Sequence, residues 1–183
     1  MSYGVTLPVL PVLVPRLQGG GADVAARHTG WLTGAYTVAL FACSPVWGAV
    51  SDFLDRRWVI AIGLAGSAIA LSLLGTVSSL AGVYAARIGA GLVAAAVMPA
   101  VLAYVAETTA PERRQRRFAW VASATALGFL LGPVAGSAAS ALGNRVSGLD
   151  LVASVCLLAA VLAARLPRVQ GAEDAAGLGP AIA

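Results

Sequence analysis

The chain has 183 residues, 59% of them hydrophobic and only 11% charged, with a mean hydropathy of +0.85. An ordinary soluble domain is about 25% charged, so this one cannot cover its surface with polar groups, and lipid must solvate much of it. The net charge of +4 comes from 12 Arg and no Lys; these lie between apolar runs and form no basic domain, which argues against nucleic acid.

Taken in order, the chain reads as six apolar runs. The first, about 3–17, contains Pro8, Pro11 and Pro15. It is short against the ~20 residues that span a bilayer as a helix, so the chain is expected to enter part-way into its first helix. A Gly-rich polar stretch, Gln18 to Thr29, is expected to be a loop. It holds Asp23, Arg27 and His28, the single histidine, which is expected to be solvated. The second run covers about 30–50. A charged hinge separates it from the third, about 58–77, and a tight Ser78–Ser79 turn leads into the fourth, about 80–106. A second charged loop, Glu107 to Phe118, precedes the fifth run at about 119–142. A short loop precedes the sixth, about 149–166.

The expected fold class is therefore an all-α integral membrane protein with a six-helix bundle over residues 1–166 and a flexible tail over 167–183. Arg56, Arg57, Arg113, Arg114, Arg116, Arg117, Arg165 and Arg168 fall on one side, and Arg16, Arg27 and Arg145 on the other. Positively charged loops stay inside, which assigns both charged loops, the tail and both termini to the cytoplasm of a multi-pass plasma membrane protein.

Enzyme chemistry finds little support. Cys43 and Cys156 sit inside apolar runs and read as small buried hydrophobes. No His/Cys cluster suggests a metal, no Ser/His/acid set suggests hydrolysis, and no cofactor is expected. A phosphate-cradling Gly-Lys-Ser/Thr motif is also missing, so direct ATP-driven transport is unsupported.

Three clusters stand out. The hinge between the second and third runs is Gly48-x-x-x-Asp52-x-x-Asp55-Arg56-Arg57. Its plain reading is a positive-inside loop with a solvated acid pair. In the fourth run, Arg87 precedes Gly91 by four residues. A buried membrane arginine costs at least ~2.5 kcal/mol on insertion scales and faces a partner or a watery cavity; near a helix end, it snorkels instead. In the fifth run, Gly128, Gly132 and Gly136 recur every four residues beside Pro133. That strip permits close helix approach, and the proline favours a kink.

These clusters resemble the signatures of the Major Facilitator Superfamily, specifically the first six helices of its twelve-span drug:proton antiporters. The hinge is similar to Gly-x-x-x-Asp-x-x-Gly-Arg-Arg/Lys, with Asp55 standing where the family has Gly. Arg87 and Gly91 resemble the fourth-helix pattern Arg-x-x-x-Gly, associated with proton coupling. Gly128, Gly132, Pro133 and Gly136 resemble the fifth-helix antiporter pattern, with Ser137 replacing its last Gly. Pro8 and Pro11 resemble a first-helix pattern of the same branch.

The resemblance implies one half of a proton-coupled secondary transporter that exports drugs or antibiotics by alternating access. Its partners would be a second six-helix half (a separate chain or a second copy), protons and a small amphipathic substrate. Gly48, Asp52, Arg56, Arg57, Glu107 and Arg113 would form a cytoplasmic gate. Arg87 and Gly91 would serve proton coupling or substrate. The glycine strip would pack against the second half. A rival expectation is a truncated, non-transporting fragment or an interaction subunit. It is motivated by the short first run and by six runs where the family has twelve.

Overall fold

A computed structural model describes residues 2–18, 21–141 and 145–167, and their regular structure is entirely helical. Seven helices follow in order: α1 (Ser2–Gln18), α2 (Ala22–Phe53), α3 (Arg56–Thr76), α4 (Leu80–Ala94), α5 (Val97–Thr108), α6 (Pro111–Ala141) and α7 (Arg145–Ala164). Among the described residues, four stretches are long and apolar enough to cross a membrane: Ala22–Phe53, Arg56–Thr76, Leu80–Thr108 and Pro111–Val134. The apolar helix Leu149–Ala164 is shorter, as is the 17-residue α1.

Helices outrun the apolar runs. The stretch expected as a loop to Thr29 is helical from Ala22, because Ala and Arg are strong helix formers and Asp23 in the first turn complements the helix dipole. The charged segment expected as a loop to Phe118 is helical from Pro111. Proline suits a first turn, Glu112 follows it, and the arginines propagate it. Likewise α7 is already helical at Arg145. Polarity ends a membrane crossing, but it does not end a helix. The tail expected beyond Pro167 lies outside the described residues.

The fourth run is not one smooth helix. It breaks at Ala95–Ala96, where Ala96 N–H donates to the Val93 carbonyl three residues back. The cause is Pro99, which lacks an N–H for the carbonyl of Ala95 and crowds it with its ring. Both break residues keep right-handed helical dihedrals, so α4 and α5 form a kinked pair.

The core is built around α3. Ala68 and Leu71 meet Leu149, Val152, Ala153 and Cys156 of α7. On its other flank, Gly63 and Gly66 let the kinked pair approach closely; an added Cβ would lie 2.7 Å from Val97 and 2.9 Å from Val93. Leu10, Val14, Leu32, Leu74 and Val83 knit α1, α2, α3 and α4 together at the other end. In hydrocarbon such clusters hold by close packing, since lipid tails are as apolar as leucine. Large apolar side chains cover the outside: Trp31, Val38 and Phe41 on α2, Leu130 and Val134 on α6, Leu158 and Leu162 on α7 are all exposed.

Candidate functional site

At one end of the bundle, α2 gives way to α3 through Leu54 and Asp55. Asp55 caps α3 with φ −54°. No left-handed conformation is required there, so the position that is glycine in the resembling pattern accepts aspartate without strain. Arg56, the first residue of α3, is a hub. Its Nε and NH2 donate to Glu107 at the end of α5, at 3.1 and 2.9 Å. Its NH1 donates to Asp52 at 3.1 Å and to the Ser51 hydroxyl at 2.6 Å, and also reaches the Ser51 carbonyl. Arg57 turns elsewhere: Nε pairs with Asp55 at 3.0 Å, and NH1 approaches the Leu166 carbonyl beyond α7 at 3.5 Å.

The two arginines thus divide the acids. Asp55 engages Arg57, leaving Arg56 to bridge Asp52 and Glu107. The bridge ties three helix ends together, but Asp52 remains 68% exposed. Exposed pairs of this kind contribute only about 0–1 kcal/mol. Arg113 is not brought into this cluster. It is exposed on α6, beside Arg116 and Arg117. Gly48, one turn before Asp52, is half-buried, with open space where a Cβ would stand.

Deeper in the bundle, Arg87 of α4 is 2% exposed. It does not snorkel to the surface. NH1 donates to the Thr6 hydroxyl of α1 at 2.8 Å, and the guanidinium lies 4.7 Å from the centre of the Tyr36 ring of α2. A cavity of about 10 Å³, bordered also by Ser67 and Ala90, adjoins it. That is room for about one water, far below the 300 Å³ or more of a drug-sized site. Gly91, one turn on, sits where α4 crosses α2; an added Cβ would come within 2.5 Å of the Tyr36 carbonyl and 3.0 Å of Ala39.

The glycine strip of α6 meets α1. An added Cβ on Gly4 would lie 3.1 Å from Pro133 and 3.2 Å from the Gly132 backbone. Gly132 is buried and Gly128 half-buried, while the surroundings of Gly136 lie outside the described residues. One side of the strip is therefore used within this chain, whereas the resemblance implied packing against a second half.

A buried arginine beside a small cavity, a charged hinge between two helices and a proline-marked glycine strip now lie on one helical bundle. The family model of the Major Facilitator Superfamily matches residues 1–179. The chain belongs to the Major Facilitator Superfamily.

It is 37% identical over 136 residues to the class C tetracycline resistance protein of Escherichia coli, covering 74% of this chain and 34% of that one. It is 29% identical over 161 residues to multidrug resistance protein 2 of Bacillus subtilis, covering 88% and 39%. Among solved structures, the human organic anion transporter MFSD10 (TETRAN) superposes with a TM-score of 0.74 at 27% identity, covering 92% of this chain and 44% of that one. The chain thus spans about a third to two fifths of the curated relatives' length.

Within this superfamily bundle, some contacts were not legible in the sequence. Thr6 and Tyr36 are each a polar group inside an apolar run, the kind of residue a buried arginine needs, but nothing in their spacing ties them to Arg87. His28, read as solvated, lies with its Nδ1 3.1 Å from the Tyr84 hydroxyl, linking α2 to α4. Trp47 likewise ties α2 to α4, donating to the Leu92 carbonyl at 2.8 Å. Among the described residues, no group of three His, Cys, Asp or Glu is arranged to hold a metal ion.

Proposed function

We propose that this chain forms one wall of a proton-coupled efflux transporter, a six-crossing bundle that works by alternating access with a second six-helix half. The observation that carries the reading is Arg87, a cation buried within the bundle and braced by Thr6 and Tyr36. Burying an arginine in a membrane is expensive, so such a residue marks a functional position by default. The names of the relatives, tetracycline and multidrug resistance proteins, support antibiotics and amphipathic drugs as cargo.

Arg87 stays charged throughout the physiological range and does not itself release a proton. Its fixed charge favours the ionised form of a carboxylate brought near it, or holds an anionic part of the substrate. The acidic side chains of the described residues are Asp23, Asp52, Asp55, Glu107, Glu112 and Asp150, and none is placed midway along a membrane crossing. The titrating group is therefore assigned to the second half. At the other level, the Asp52–Arg56–Glu107 bridge acts as a latch, closed in this state and re-paired in the opposite one. The arginine-rich end faces the cytoplasm of the plasma membrane, as do both termini.

The test is transport in sealed vesicles, with the chain alone and with a co-expressed second six-helix half. Drug uptake driven by a proton gradient, and dependent on the second half, is the expected result. An assembly that moves neither drug nor protons overturns the proposal.

A further inference from the structure

The strongest charged surface lies outside the Arg56 bridge. On α6, Arg113, Arg116, Arg117 and Trp120 stand at i, i+3, i+4 and i+7, so they share one helix face. All four are exposed, and together they line a concavity of about 470 Å³. None of the three arginines makes an ion pair among the described residues. Arg114 points off this face and donates to the Thr109 carbonyl at 3.0 Å. The acid closest along the helix, Glu112, is exposed and stands one turn before Arg116, but no ion pair joins the two.

Position adds to charge. The face occupies the first turns of a helix whose next residues are apolar enough to cross a membrane. Trp120 lies about 10 Å along the axis from Arg113, at the depth where the long apolar run begins. Tryptophan prefers the headgroup level of a bilayer. Guanidinium groups bind phosphate oxygens through paired N–H donors. Three guanidinium groups above an interfacial tryptophan therefore present an open basic concavity, roomy enough for a whole phospholipid headgroup, at the depth of lipid headgroups.

We propose that Arg113, Arg116, Arg117 and Trp120 bind the headgroup of an anionic phospholipid. The headgroup phosphate sits among the three arginines, and Trp120 packs on its glycerol and upper chains. Zwitterionic lipid binds less well, because its own ammonium group opposes the arginines. Each arginine near an anionic surface contributes about fivefold in binding, so three contribute on the order of 100-fold if all engage.

The experiment extracts the full chain gently from vesicles of equal phosphatidylglycerol and phosphatidylcholine, then quantifies retained lipid by native mass spectrometry. Phosphatidylglycerol is expected to be enriched at least tenfold on the unaltered chain. The enrichment should fall to near parity in the R113Q/R116Q/R117Q variant and persist in R114Q. No enrichment on the unaltered chain, an unaffected triple variant, or equal loss in R114Q would each overturn the proposal. Removing three positive charges also weakens the orientation signal, so the unaltered chain supplies a second reading. Its enrichment should drop several-fold between 50 and 500 mM NaCl, as the screening length shortens to about 4 Å, and a salt-insensitive preference would overturn the idea. Enrichment that appears only after deletion of residues 168–183 would place the chain's own Glu173 and Asp174 on this face and likewise overturn it.

Discussion

Arg56 and Glu107, 51 residues apart in sequence, meet at 2.9 Å and tie the start of α3 to the end of α5. The same guanidinium reaches back across the hinge to Asp52, near the end of α2, at 3.1 Å. The two carboxylates are not equivalent. Glu107 is 33% exposed and Asp52 68%, so water screens the second pair more strongly. Double-mutant cycles read by thermal unfolding in detergent should give about 1 kcal/mol of coupling for Arg56 with Glu107, and about 0.5 kcal/mol or less for Arg56 with Asp52. Couplings in the reverse order would mean that the local pair, and not the bridge between helices, dominates this end.

Two glycines on α4 make opposite predictions. At Gly91 a methyl group would press on the Tyr36 carbonyl, which is backbone and cannot swing aside. Gly91→Ala should destabilise the bundle by about 1–3 kcal/mol through overpacking. Gly89 has nothing within 4 Å of an added Cβ. Gly89→Ala should therefore be neutral or stabilise by up to about 1 kcal/mol, from helix propensity alone. Melting temperatures of the two variants, measured side by side, separate these outcomes.

The contrast shows what can be read from residues alone. Apolar runs located the helices, because length and composition decide what lipid will accept. They misplaced the ends at Ala22 and Pro111, because helix propensity continues past the lipid boundary. The kink at Ala95–Ala96 has a visible cause in Pro99, and was missed because the surrounding run is uniformly apolar. At the hinge, Asp52 and Arg56 are close in sequence and meet across the break between α2 and α3. That Asp55 engages Arg57 is not legible in the spacing, which reads as a solvated acid pair. The pairing depends on the break in the helix at Leu54 and Asp55, which spacing does not reveal. The resemblance groups Arg113 with the hinge, yet its position on α6 sets it beside Arg116 and Arg117. Thr6 and Tyr36 could not be paired with Arg87 from one sequence, since they come from α1 and α2.

The crossing of α1 and α6 offers a third check. Gly4 faces the Gly132 backbone and the Pro133 ring, with the Phe129 carbonyl 3.4 Å from where a Cβ would stand. Backbone on one helix and a rigid ring leave little room to yield. Gly4→Val should loosen α1 by about 1–3 kcal/mol, seen as faster proteolysis at the start of α1 and a lower melting temperature. An unchanged pattern would show that α1 is held by its contacts with α2 and that the glycine strip contributes little.

Arg87 separates packing from coupling. Thr6→Val removes the hydroxyl that accepts from NH1 while keeping its volume, so the buried guanidinium loses a hydrogen bond worth about 1.5–3 kcal/mol. Arg87→Lys keeps the charge but loses the planar fork and much of the contact with the Tyr36 face. Neither change should alter membrane insertion, since the apolar runs that drive it are untouched. In the assembled transporter, Arg87→Ala should abolish proton-driven drug movement, Arg87→Lys should reduce it at least tenfold, and Thr6→Val should leave a partial rate. Vesicle uptake under an imposed proton gradient, normalised to inserted protein, ranks the three. If all three lower stability yet transport at the unaltered rate, Arg87 is a packing residue and the coupling charge lies elsewhere.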